Sequence, residues 1–468
     1  MMVTLNLAVR NLLRNRRRSL ATLVAMSIGC AAILLFGGFS ANINYNMQTH
    51  HVQQGGHLQI QHRDFFLYGN GNPTAYGISD YQKLMAAIQA DAVLSNMVLV
   101  VTPTLQFGGI AGNYAASVSR TIIGSGFVAE DVSRMRLWND FQLPNKVKRF
   151  ELKGAAPDAA IVGTGVARVL QLCDALKIER CPKPEQEAKE EGEALPDDIA
   201  KLSAQETPAG GAAPAAPGGQ ARIEVLVVNS RGAPNVTSVQ VVRAEDQGIK
   251  ELDEVYVMMH LAQIQQLVYG SATPKATSLM IQLQRSDQVP QALERLKPII
   301  ARFSASQPLT VLDFRTLNPF YVQTIQMFDT IFGFVFILIG AIVLFTVSNT
   351  MNTAVVERTV EIGTLRAIGL RRKGIRSLFV TEGALIGICG ALLGVVLALV
   401  AAAAINSSGM TWLPPGNVEP LALTLTVWGE VPMVTGTAAG LVCIAVLSAW
   451  WPAYRAAQLK VVDALRHV

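Results

Sequence analysis

The sequence predicts an α-helical membrane protein with four transmembrane helices and a large two-lobed α+β domain inserted between helices 1 and 2. Three observations predict this. Four runs, 20–41, 331–350, 378–405 and 432–451, are apolar over about the 20 residues that a hydrocarbon core requires. The interval between the first two alternates in character as a folded domain does. The segments that flank the runs are sharply sorted by charge.

Composition suits that division. The 468 residues are 50% hydrophobic and 16% charged, with a mean hydropathy of +0.33. That is too apolar for an ordinary soluble chain and too polar for a wholly embedded one. Residues 1–19 carry Arg10, Arg14, Arg16, Arg17 and Arg18 and no acid. The 351–377 loop carries Arg358, Arg366, Arg371, Arg372, Lys373 and Arg376 against Glu357 and Glu361. The 452–468 tail carries Arg455, Lys460 and Arg466 against Asp463, whereas the 406–431 loop has no Lys or Arg. Short loops rich in Lys and Arg stay cytoplasmic. Both termini and the 351–377 loop are therefore expected in the cytoplasm, with residues 42–327 on the outer side of the membrane. Setting aside those 14 basic and 3 acidic residues leaves 25 basic against 31 acidic. The net charge of +5 is a topology signal and gives no support to a nucleic-acid partner.

The first run, 20–41, is longer than the h-region of a cleaved signal peptide, and no charge interrupts residues 19–62. It reads as an uncleaved span that continues outward as a stalk to Gly55-Gly56. His57-Leu-Gln-Ile-Gln-His62 alternates with period two, as a half-buried strand does. Residues 79–91 have helical spacing, and 98–107 and 116–124 read as strands. The stretch 158–168 runs from a strand through Gly163-Thr-Gly165 into a helix. Without the third glycine of G-x-G-x-x-G (position 168 is Arg), a strand–helix turn explains it better than a phosphate site. Composition collapses into Glu, Lys, Ala, Pro and Gly over about 182–220, which reads as a disordered insertion. Strands are expected again at 222–228, 237–242, 255–259, 278–283 and 310–313, with helices from 261 and over 289–304. Chain from both ends of the insert builds the membrane-proximal lobe. The second span is placed at 328–350, the third at 378–405 and the fourth at 432–451.

Cys30, Cys389 and Cys443 lie in apolar runs, where thiols behave as small hydrophobes. Cys173 and Cys181 fall in the outer domain and are the candidate disulfide. His50, His51, His57 and His62 lie close in sequence, but His57 and His62 face opposite sides of a strand, so they read as surface histidines and no metal site is expected. There is no G-x-x-x-x-G-K-[ST], no acid pair and no nucleophile–base set. The chain is expected to be no enzyme and to hold no cofactor.

The most distinctive stretch is Glu357-Arg-Thr-Val-Glu-Ile-Gly-Thr-Leu-Arg-Ala-Ile-Gly369, a short charged helix held between two long apolar runs. At helical spacing Glu357, Glu361 and Leu365 share one face, read as outer, while Val356, Val360 and Ala367 share another, read as the apolar inner one. The third run contains Glu382-Gly-Ala-Leu-Ile-Gly387, then Gly390 and Gly394. Glycines four apart let helix backbones approach, so Gly383, Gly387, Gly390 and Gly394 read as a helix-packing seam, with a second subunit as a candidate occupant. Glu382 reads as structural, near water or Arg376, rather than as a proton relay.

The 357–369 stretch resembles the motif that follows the second span in MacB/LolC/FtsX-type ABC transporter permeases of the mechanotransmission class. The ending Trp451-Pro-Ala-Tyr-Arg-Ala-Ala is similar to theirs too, with Val462 standing near an expected proline. The resemblance covers all four spans. It implies a coupling helix that touches a separate ATPase subunit, where ATP and Mg²⁺ reside, with Glu357, Arg358, Glu361, Gly363, Arg366 and Gly369 as coupling positions. It also implies a dimer with a second permease copy or paralogue. Gly56-His-Leu-Gln-Ile-Gln-His62 resembles the start of the outer domain in lipoprotein-releasing permeases more than in macrolide exporters. The expected function is extrusion or extraction of a lipid-linked substrate from the membrane, with membrane lipid and a periplasmic adaptor or cargo protein as further partners. The alternatives are a peptide or drug efflux permease, or an FtsX-like transmembrane signal transducer that activates a periplasmic partner.

Overall fold

The computed structural model describes residues 2–14, 16–144, 149–178, 221–248, 250–305, 307–413 and 420–461. Eleven helices are used below: α1 (Met2–Arg14), α2 (Arg16–Gly55), α3 (Tyr81–Ala90), α4 (Ala129–Met135), α5 (Thr164–Val169), α6 (Leu261–Tyr269), α7 (Val289–Phe303), α8 (Pro319–Glu357), α9 (Thr359–Ala367), α10 (Arg372–Ser407) and α11 (Val431–Gln458). The strands are β1 (Leu58–His62), β2 (Val98–Asn113), β3 (Val118–Phe127), β4 (Ala159–Gly163), β5 (Arg222–Val228), β6 (Pro234–Glu245), β7 (Tyr256–His260), β8 (Ser278–Leu283), β9 (Leu309–Asp313), β10 (Thr411–Trp412) and β11 (Leu421–Ala422). The expected insertion over 182–220, Cys181 and the tail beyond residue 461 lie outside the described residues. The chain divides into two compact units, one helical and one built around a sheet.

The helical unit holds α2, α8, α10 and α11, the four helices long and apolar enough to cross a membrane. Its densest seam joins α10 to α11 and to α2. A Cβ on Gly383 would stand 2.5 Å from Ala449 Cβ, and one on Gly387 would stand 3.0 Å from Ala445 Cβ. Further along, Gly390 faces Met26, and Gly394 lies against Cys30 and the carbonyl of Ser27. Ser27 Oγ donates to the Gly390 carbonyl at 3.1 Å, a bond that only close backbones permit. All four glycines are therefore filled by helices of this same chain. α8 packs through one narrow face, where Gly340 meets Ile444 and Thr350 hydrogen-bonds Thr22 at 2.8 Å. Phe334, Ile337 and Phe345 on its other side are exposed.

The second unit is organised on one nine-stranded sheet, ordered β3-β7-β4-β6-β5-β2-β8-β1-β9. The strand expected at 98–107 runs on to Asn113 because β2 serves two lobes. Its first half pairs with β8 and its second with β3 and β5. One core gathers Leu58, Ile60, Leu84, Ile88, Leu279, Ile281, Leu296 and Ile300, from both ends of the insert, under α3 and α7. A second gathers Phe107, Ile122, Val162, Val225, Val239, Val257 and Ile264. β4 is buried along its whole length, as a strand covered on both faces must be.

Two local features answer questions the sequence raised. The amides of Thr164 and Gly165 donate to the Asp253 carboxylate at 2.8 and 2.7 Å, so an internal acid occupies the turn that resembles a phosphate cradle. Gly163 is required because a Cβ there would stand 2.0 Å from the Asp253 carbonyl oxygen. His57 is a correction. Read as a surface residue, it is 0% exposed. Its Nδ1 accepts from the Leu283 amide at 3.0 Å, Nε2 lies 3.2 Å from Ser286 Oγ, and Trp138 packs edge-on at 4.9 Å. The period-two rule assumes that one face of a strand meets water, but Trp138 covers this one.

Candidate functional site

The site is α9 with the residues that gather round it. α8 runs to Glu357, and Arg358 interrupts the helix at φ −105°, ψ 17° before α9 begins. At the other end Gly369 has φ +104°. The Leu370 amide returns to the Leu365 carbonyl at 3.0 Å and the Gly369 amide to Arg366 at 3.1 Å. This is the Schellman closure, which needs a residue at positive φ in that position. Gly369 thus ends the helix.

Among the other coupling positions, Arg358 points inward. Arg358 Nη1 donates to both oxygens of Glu382 at 3.0 and 3.3 Å, and Nη2 donates to the Asn11 carbonyl at 3.1 Å. Asn11 Nδ2 completes the set, donating to Glu382 Oε1 at 2.6 Å. All three residues are buried, Glu382 to 1% exposure. The free volume bordered by Leu7, Asn11, Arg358, Ile362 and Phe379 is about 10 Å³, at most room for one water. The partners of Glu382 are therefore Arg358, from the joint between α8 and α9, and Asn11 of α1. Arg376, the partner the sequence offered, stacks its guanidinium 4.9 Å over the Trp450 ring instead.

Glu361 pairs with Arg14 at 2.5 Å and Glu357 with Arg18 at 2.9 Å. The match of spacings was legible: two arginines four apart near the N-terminus, two glutamates four apart here. Arg366 Nη1 donates to the Leu459 carbonyl, and Gly363 is buried beside Ile362. Cys173 is disulfide-bonded.

One of the two faces assigned from periodicity is corrected, the one read as inner. Val356, Val360 and Ala367 do not point inward: Val356 is 69% and Val360 47% exposed, and Ile368 reaches 80%. On α9, Val360, Thr364 and Ile368, all exposed, follow one another four residues apart and line a single ridge, while Val356 is exposed at the end of α8 before the break. The physical reason lies in Arg358. Its charge is held inside by Glu382, which turns the glutamate face toward the basic N-terminal residues and leaves the valine face outside. The sequence reading missed Asn11, Arg14, Arg18 and this ridge.

Residues 330–461 match the family described as FtsX-like permease C-terminal. The chain is 28% identical over 157 residues to the lipoprotein-releasing system transmembrane protein LolC of Haemophilus influenzae, covering 34% of this chain and 38% of that protein. It is 34% identical over 143 residues to the macrolide export ATP-binding/permease protein MacB of Sodalis glossinidius, covering 31% of this chain and 20% of that one. The ABC transporter permease YtrF of Bacillus subtilis is 34% identical over 146 residues, 29% of this chain and 30% of that protein. The matches thus span well under half the length of these relatives. Among solved structures, the extracellular domain of YknZ, a noncanonic ABC-type transporter from Gram-positive bacteria, superposes with a TM-score of 0.27 at 11% identity, over 55% of this chain and 99% of that one. Residues 330–461 are thus similar to the FtsX-like permease C-terminal family, and the chain is similar over part of its length to LolC, MacB and YtrF.

Proposed function

We propose that this chain is the permease subunit of an ABC transporter, coupling ATP hydrolysis on a separate ATPase subunit to movement of its β-sheet unit. The observation that carries the reading is α9. It is a short helix tied between two apolar helices, with an apolar ridge facing out and its charged side chains engaged within the chain. An exposed ridge of Val360, Thr364 and Ile368 on α9 suits insertion into an apolar groove of a partner. The excess of positive charge beside the spans supports a cytoplasmic position, under a bacterial inner membrane, for that ridge and both termini, where an ATPase operates. The β-sheet unit is then periplasmic, and ATP and Mg²⁺ are held by the partner.

The cargo is proposed to be lipid-linked. Support comes from the similarity to LolC, which is named as a lipoprotein-releasing protein, and from the Gly56–His62 stretch. A second permease copy would assemble through surfaces other than the glycine seam, which is filled from within. Purification of the tagged chain in a gentle detergent tests the reading. A stoichiometric co-purifying ATPase with a Walker A motif supports it, and bound lipoprotein or lipid supports the cargo. A cell-wall hydrolase bound in place of an ATPase contradicts it in favour of signalling.

A further inference from the structure

We propose that Asn11, Arg358 and Glu382 are positioning residues forming a dry node that makes α1 part of the coupling element, so that α9, α10 and α1 move as one body. The inference rests on the permease reading above. Arg358 is the single residue between α8 and α9, the place where a helix pair bends. At such a joint a free side chain would let α9 swing independently of α10. Here the guanidinium is pinned on two sides, by the Glu382 carboxylate from α10 and by the Asn11 carbonyl from α1. Asn11 closes the triangle by donating to the same carboxylate. The joint residue, α10 and α1 therefore each bond directly to the other two.

The chemistry argues for direction rather than stability. Taking both charges out of water offsets most of their attraction, and apolar replacements of similar volume commonly leave a fold no less stable. What a planar guanidinium held by the Glu382 carboxylate through Nη1 and by the Asn11 carbonyl through Nη2 supplies, and an apolar cluster lacks, is a fixed angle between the joined helices. The buried carboxylate already accepts three hydrogen bonds, one from Asn11 and two from Arg358, an arrangement for holding geometry and not for passing protons. Arg14–Glu361 and Arg18–Glu357 lie on the exposed side of the same junction. They are solvent-screened, so the buried node carries the angular constraint.

The test uses the whole chain in nanodiscs with its co-purified ATPase, comparing wild type with the double variant Arg358→Met/Glu382→Met. Four quantities are read: melting temperature, ATPase rate, the nucleotide-driven change in a spin-label distance within the β-sheet unit, and amide exchange of α1. The double variant is expected to fold, bind ATPase and hydrolyse ATP, while the distance change per ATP falls by about tenfold, within the range of a typical coupling term. Amide exchange of α1 is expected to quicken in the same variant while α10 stays protected. Wild-type motion and unchanged α1 exchange in a folded double variant would overturn the node alone. Absence of any ATPase from the wild-type preparation would overturn the permease reading, and this inference with it.

Discussion

Arg358 and Glu382 are 24 residues apart in sequence and 3.0 Å apart in space, with both side chains almost wholly removed from solvent. That pair fixes which side of α9 faces out, and it sets the arrangement of the rest of the site.

Breaking the pair on one side leaves a guanidinium buried without its counter-charge. Glu382→Gln is therefore expected to destabilise the helical unit by about 3–5 kcal/mol, whereas apolar replacement of both partners costs far less. Thermal melts in detergent, run side by side, decide it; equal melting temperatures for wild type and the single variant would contradict the buried pairing.

Charge on the ridge acts differently. Val360→Asp adds a carboxylate to a side chain already half in water, so the melting temperature is expected to move by less than about 0.5 kcal/mol equivalent, in the range of ordinary surface substitutions. Retention of the ATPase on the tagged chain should nevertheless fall steeply, because an apolar groove would have to desolvate the new charge. Retention at the wild-type level would remove the ridge from the interface.

The legibility of these features differs for a physical reason. Hydropathy runs and period-two alternation are local, so the four apolar helices and the strands around residues 58, 98, 222 and 278 stand where the sequence places them. The outward face of α9 is not local, because it depends on where Arg358 finds its partner. The glycines of α10 announce a close helix contact, but Ala445, Ala449, Met26 and Cys30, which fill it, lie far off in the chain. His57 alternates correctly with Leu58, and its burial comes from Trp138, in a segment with no periodic signal.

The glycine seam gives a graded steric prediction. Gly394→Val would press a branched side chain into Cys30 and the Ser27 carbonyl, at 2.5 and 2.8 Å from the new Cβ, and overpacking of this kind costs about 1–3 kcal/mol. Gly436→Ala in α11 meets nothing within 4 Å and should be neutral or slightly stabilising. Unfolding yields of the two variants in one detergent check the contrast, and equal losses would argue against the close approach of α10 to α2.

His57 gives the β-sheet unit a pH dependence. Burial pushes its pKa down to about 4 from 6.5, and the Leu283 amide, already donating to Nδ1, would meet a second donor if the ring were charged. The unfolded chain takes up the proton near pH 6.5 and the folded chain only near 4. Stability is therefore full above about 6.5 and is lost as pH falls toward 4, by on the order of 3 kcal/mol. Trp138, packed on the ring, is a fluorescent reporter for melts across that window. A flat profile would show that the histidine is not held neutral.

The most direct test of the central claim places a photocrosslinking side chain at Val360 and, separately, at Ile368 in the full chain within cells, with Thr121 on the β-sheet unit as the control. The account predicts a covalent adduct with a Walker A-bearing ATPase subunit from both ridge positions and none from the control. Adducts at the ridge with lipid alone, or with a second copy of this chain and no ATPase, would contradict it.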